Sequence, residues 1–215
     1  RTDGATPFRL VTHIGDVGHT LVAGPTGMGK SVLLATLAMQ FRRYRGSRIF
    51  AFDMGRSIRA AILGMGGEHY DLGADDEIAF QPLARIDREG YRTWASEWVE
   101  GRLLHEGAAV GPDEKAAIWS ALGSLASAPV EQRTLTGLTA LLQSNTLRQA
   151  LAPYVLGGAH GRLLDADHDR LGTSDVQAFE MEELMHSKAA VLAVLRYLFA
   201  RFEERLDGAP TLLIL

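Results

Sequence analysis

No cysteine occurs among the 215 residues. That excludes disulfides, thiolate zinc sites and cysteine nucleophiles, and it leaves the redox compartment open. Lysine is almost missing as well: Lys30, Lys115 and Lys188 are the whole set, beside a much larger number of arginines. Nor is there a basic excess. Lys and Arg number 22 against 26 Asp and Glu, a net charge of −4, so no domain-wide positive field favours generic nucleic-acid binding. No apolar run approaches the ~18 to 20 residues of a bilayer-spanning helix, and no leader with a basic start and apolar middle is present. Internal repeats and low-complexity tracts are absent too. What remains is an ordinary globular composition, 47% hydrophobic and 22% charged. The length suits one large domain, or one domain carrying an insertion.

The pattern of elements is that of an α/β protein. Residues 8–14 and 19–23 are β-rich runs separated by Gly15-Asp16-Val17-Gly18, which predicts two strands with the second leading into a Gly-rich loop. After Ser31, Leu33, Leu34, Leu37, Ala38, Phe41 and Tyr44 follow helical spacing, with arginines in the last turn and Gly46 suited to a left-handed cap. Ile49-Phe50-Ala51-Phe52 is continuously apolar and ends in Asp53, as expected of a strand covered on both faces in a parallel sheet. Tyr91, Trp94, Ala95, Trp98 and Arg102 then recur at helical intervals. Pro112 opens a second helix carrying Ile118, Leu122 and Leu125, and Thr136 is placed to cap a third with Leu138, Leu141 and Leu142. The aromatic stripe reads as core packing. The expected organisation is therefore core over 1–87, an α-helical insertion over 88–156, and a return to the core over 157–215. In the last part, 176–181 is a strand, Val191, Leu195, Leu198, Phe202 and Leu206 line one helix face, and a strand follows Gly208 and Pro210.

The strongest chemical signal is Gly24-Pro25-Thr26-Gly27-Met28-Gly29-Lys30-Ser31, which fits the phosphate-binding loop pattern with an apolar run before it and a helical pattern after it. Glycines let such a loop wrap its backbone N–H groups around phosphates, and the helix N-terminus adds a positive dipole end. Lys30 is expected to bridge the terminal phosphates of ATP, and Ser31 to hold Mg²⁺ through its hydroxyl. Asp53 lies at the carboxyl end of a predicted buried strand, where ligand sites form in parallel sheets. It either contacts a metal-bound water or polarises the attacking water, or it caps the turn with Met54, Gly55, Arg56 and Ser57. Asp165-Ala166-Asp167-His168-Asp169 has Arg170 and Val176 where a calcium loop needs Gly and a bidentate acid, so it reads as a solvated turn. The seven histidines show no metal-ligand spacing.

The sequence starts at Arg1 and stops within the apolar run Thr211–Leu215. That run has the form preceding the Mg²⁺-linked Asp of a second nucleotide motif, so the expectation is a piece of a larger protein whose second motif follows.

The loop and its flanks, together with Phe80-Gln81-Pro82-Leu83, Gly161-Arg162-Leu163-Leu164-Asp165, 179–185 and 210–215, resemble the traffic ATPases of type IV secretion and conjugal transfer over essentially the whole chain. The resemblance implies a RecA-like P-loop NTPase core with a mainly parallel sheet and an α-helical insertion. It implies an ATPase acting in a hexameric or dimer-built ring at the cytoplasmic face of the bacterial inner membrane. Its partners would be other inner-membrane components of the secretion system, with DNA contact open. ATP and Mg²⁺ are the implied cofactors, and Lys30 and Asp53 the implied catalytic residues. Two other readings stand beside it: a ring-shaped DNA pump using Arg56, Arg59 and the Arg42–Arg48 cluster, and a scaffold that binds ATP without hydrolysing it.

Overall fold

The computed structural model describes residues 10–12, 15, 18–73 and 78–215. Its centre is a four-stranded sheet, all of it parallel, in the order β2-β3-β1-β4. The strands are β1 (Arg48–Asp53), β2 (Glu68–Asp71), β3 (Val176–Glu180) and β4 (Thr211–Ile214). Their register aligns Asp53 with Glu180 and Asp71 with Glu180 at the carboxyl edge, and Arg48 with Thr211 at the other. The fold class expected from the sequence is thus present.

Alternation along β1 and β3 sends side chains to two different cores. Ile49, Ala51, Val176 and Ala178 meet α1 (Lys30–Phe41) and α2 (Arg59–Gly64) on one face. On the other face Phe50, Phe52 and Phe179 meet α8 (Lys188–Glu203), with Phe50 stacked on Phe202 at 4.1 Å between ring centroids. Sandwiching by helices on both faces explains why β1 reads as an unbroken apolar run. At the amino edge, Arg48 forms a two-pronged ion pair with Asp207, at 2.7 and 2.9 Å.

Between Glu89 and Leu164 the chain is mainly helical. It runs through α3 (Glu89–His105), α4 (Pro112–Leu125), α5 (Leu135–Leu141), α6 (Asn145–Leu151) and the short α7 (Gly161–Leu164). Pro112 stands at the start of α4, where its missing N–H costs nothing, and Glu114 accepts from the Gly111 N–H at 2.9 Å. Trp98 is fully buried, while Tyr91 and Trp94 pack at the margin of the same core, so the stripe is core packing. Arg102 is buried with it, its guanidinium lying over the Trp98 ring.

Several local expectations are corrected. Of the strand predicted over 8–14, residues 8, 9, 13 and 14 lie outside the described residues, and Leu10–Thr12 form no strand. Residues 19–23 are not a strand either, and Leu21 is 91% exposed. β4 is an edge strand, and the β propensity of Thr20, Leu21 and Val22 counts for nothing without a ladder partner. The phosphate loop is therefore not joined to a central strand among the described residues.

The cap of α5 is Thr134, whose hydroxyl accepts from Gly137 N, and Thr136 is the second residue of the helix. The buried face of α8 is Ala190, Ala193, Val194, Tyr197, Leu198 and Phe202. Val191 and Leu195 flank it and Leu206 lies beyond the helix in the open. The helix touches the sheet and α3 together, which shifts its centre of burial from the stripe that spacing alone selects. Finally, Asp165 is not solvated. It is buried and accepts hydrogen bonds from Thr136 N, Thr136 Oγ1 and Leu156 N, tying α5 to the end of α7. Its neighbours Asp167 and His168 are exposed, as expected.

Candidate functional site

The loop from Gly24 to Ser31 turns into α1 through two glycines in the left-handed region, Gly27 at φ 82° and Gly29 at φ 80°. A side chain is strained at both positions. Among the described residues, and leaving aside its chain neighbours, nothing lies within 4 Å of where a Cβ would stand on Gly27 or Gly29, so there it is backbone torsion, not crowding, that asks for glycine. Gly29 is the N-cap of α1, without a capping side chain and without an acidic residue in the first turn. The first N–H groups of a helix have no partners inside it, so this end presents free donors and positive potential. Lys30 folds back over the loop, its Nζ donating to Gly24 O at 2.8 Å and Pro25 O at 2.9 Å. Ser31 is exposed in the same turn, and so are Thr26 and Met28.

Asp53 closes β1 and is 7% exposed. Its Oδ1 accepts from Met54 N at 3.0 Å and Ser57 Oγ at 2.7 Å, and its Oδ2 from Ile58 N at 2.8 Å. Both oxygens are thus engaged in shaping the turn from Met54 to Ile58, which is the capping alternative read from the sequence. That turn holds Arg56 at φ 57°, the positive-φ residue other than glycine among those described.

Sequence reasoning missed what surrounds Asp53. Glu180, at the end of β3 and 2% exposed, accepts from Gly55 N, Arg56 N and Glu182 N. His69, on β2, brings its imidazole to the same place, so that ligand atoms of Asp53, His69 and Glu180 all lie within 4.8 Å of one another. His69 Nε2 is buried with no hydrogen-bond partner among the described residues. Burial pushes the imidazole pKa down, assisted by Arg59 and opposed by Asp53, Asp71 and Glu180. Residues 53, 69 and 180 are too far apart in the chain for any spacing rule to join them; the signal available was that each lies in or at the end of a strand.

The open cleft of about 490 Å³ lies elsewhere, lined by Arg85, Arg88, Arg133, Asp169 and Arg201 among others, and by no residue of the loop. Its charges are largely paired: Arg85 with Glu204, Arg133 with Asp87, Arg201 with Asp169. Among the described residues no helix is long and apolar enough to cross a membrane.

No family model matches the chain. Among curated proteins it is 43% identical over 218 residues to a probable conjugal transfer protein TrbE of Sinorhizobium fredii, covering 99% of this chain and 33% of that protein. It is 44% identical to the conjugal transfer protein TrbE of Rhizobium radiobacter, covering 99% of this chain and 27% of that one. The type IV secretion system protein virB4 of Bartonella quintana is 27% identical over all of this chain and 28% of its own length. The chain thus spans about a third or less of the curated relatives it matches. The solved structure of VirB4 of Thermoanaerobacter pseudethanolicus superposes with a TM-score of 0.64, covering 88% of this chain and 57% of that one. At 18% identity this likeness speaks for the fold alone. By sequence the chain belongs with the TrbE and VirB4 proteins, the group its motifs resemble.

Proposed function

We propose that the chain is the nucleotide-binding core of an ATPase that energises conjugal transfer through a type IV secretion machine, driving pilus assembly and the passage of DNA or protein. The observation that carries this reading is the start of α1: two left-handed glycines, a helix end with neither a capping side chain nor an acidic residue, and Lys30 held across the loop by two carbonyls. These residues fit a nucleoside triphosphate. The N–H groups of the loop and first turn would cradle its phosphates. Lys30 would exchange its carbonyl partners for the terminal phosphate oxygens, and the Ser31 hydroxyl would hold Mg²⁺, which offsets charge on those oxygens. We assign Asp53 to bracing the turn after β1, where it accepts from Met54, Ser57 and Ile58, rather than to the attacking water. The similarity to TrbE and VirB4 proteins supports the machine; a ring of copies at the cytoplasmic face of the inner membrane, in contact with other secretion components, belongs to the same proposal.

A DNA pump is less well supported. It asks for free basic side chains, whereas Arg48 is paired with Asp207 and Arg56 with Asp71.

Titration with a fluorescent ATP analogue tests the site. Lys30→Ala is expected to lose most of the affinity, at least about tenfold, because the terminal phosphate charge loses its cation, while Asp167→Ala, an exposed change, leaves affinity unchanged. Equal effects of the two substitutions would place the nucleotide elsewhere. Steady-state phosphate release by the full-length protein separates an ATPase from a scaffold, since only the former turns over.

A further inference from the structure

Asp53, His69 and Glu180 come from three adjacent parallel strands, Asp53 and Glu180 as the last residues of β1 and β3 and His69 from within β2. They share one face. Asp53 alternates with Ala51 and Ile49, Glu180 with Ala178 and Val176, and His69 aligns with Ala178 across the ladder. Two carboxylates and an imidazole thus meet under the turn that follows β1, within 4.8 Å of one another, and each carboxylate is oriented by backbone N–H donors. The imidazole Nε2 is buried and bonded to nothing among the described residues. A buried polar atom is nearly always partnered, so its isolation in front of two carboxylates calls for a bridging group.

We propose that Asp53, His69 and Glu180 form a binding site for one divalent transition-metal ion, Zn²⁺ being the best match, distinct from the Mg²⁺ of the nucleotide. One neutral imidazole with two carboxylates is a donor set that zinc accepts readily, whereas Mg²⁺ and Ca²⁺ prefer all-oxygen sites. Donors around a four-coordinate zinc at ~2.0 to 2.2 Å stand roughly 3.3 Å apart, so the three groups would draw together from their present 4.8 Å span and leave a fourth position for water. The carboxylates already carry the outer hydrogen bonds that orient metal ligands. The ion would pin β1, β2 and β3 at one point and brace the turn holding Arg56 at φ 57°.

The test uses the full-length protein, untagged, stripped with a chelator and kept free of nucleotide. Zn²⁺ is added in competition with a metallochromic indicator, and thermal unfolding is followed with and without Zn²⁺. Wild type is expected to take up one equivalent and to melt at a higher temperature when loaded, because the ion binds the folded state. His69→Gln should fold normally, since Nε2 makes no hydrogen bond, yet bind Zn²⁺ at least roughly tenfold more weakly and lose the metal-dependent rise in melting temperature. Glu180→Gln keeps an acceptor for Gly55 N and Glu182 N but not for Arg56 N, so it should lose some stability and also lose the strong Zn²⁺ binding and the metal-dependent rise. Lys30→Ala should bind Zn²⁺ as wild type does, separating this site from the phosphate loop. No uptake by wild type, or equal uptake by wild type and His69→Gln, overturns the proposal and leaves a bridging water as the partner of Nε2.

Discussion

The indole N–H of Trp98 donates to the carbonyl of Ala193 at 3.0 Å, linking α3 to α8. Both residues are fully buried, and Ala193 sits on the helix that covers the sheet, so this bond joins the helical stretch to the α/β core. Trp98→Ala should destabilise the protein by about 3–5 kcal/mol, through lost contacts and the cavity left behind. Trp98→Phe keeps most of the volume and should lose far less, on the order of 1–2 kcal/mol, for the missing bond and the smaller ring. Urea denaturation followed by circular dichroism checks both, and equal losses would show that the hydrogen bond rather than the packing dominates.

Asp165 offers a contrasting case. Its carboxylate accepts from Thr136 N at 3.0 Å and Leu156 N at 2.6 Å, as well as from the Thr136 hydroxyl. Asp165→Ala removes the buried acceptor shared by Thr136 and Leu156, two residues that themselves reach solvent, at a net cost of about 1 kcal/mol for each bond lost. The variant is expected to unfold at clearly lower denaturant, with Asp165→Asn intermediate because the amide retains one acceptor. Neighbouring Asp167→Ala should be silent.

His160 gives a pH dependence. Its ring lies 5.5 Å from Tyr154, and burial holds its pKa below the ordinary histidine value, with His105 acting in the same direction and Glu106 against it. The unfolded chain then binds the proton more readily than the folded one, so stability rises with pH through this group. Its contribution is fully present above the unfolded pKa of about 6.5 and is lost as pH falls through the lower folded value. His160→Phe keeps an aromatic ring beside Tyr154 and removes the titration. The stability of wild type relative to this variant should therefore fall on acidification from neutrality, and a difference constant with pH would refute the assignment.

The turn from Gly24 into α1 was legible because its glycines fall in one contiguous stretch, with Gly27 and Gly29 left-handed where the pattern asks for it. β1 was legible because burial on both faces removes polar residues from Ile49 to Phe52. Residues 19–23 misled for the opposite reason: their β propensity is local, and the partner that would make them a strand is not. Asp165 was misread because its acidic neighbours suggest a surface turn, whereas its partners, Thr136 and Leu156, come from elsewhere in the chain. The meeting of Asp53, His69 and Glu180 is a property of strand order, which no local pattern encodes.

All three tryptophans, Trp94, Trp98 and Trp119, lie on α3 and α4, and none is on the phosphate loop, α1 or any strand. Tryptophan emission from this protein therefore reports on the helical stretch between β2 and β3, with Trp98 in a dry, rigid setting and Trp119 partly in solvent beneath the Arg92 guanidinium. A nucleotide held at the loop, as proposed, would sit on elements that carry no indole. A change in that emission on adding ATP would be a remote signal, the optical trace of motion passed from α1 through the sheet and α8 to α3.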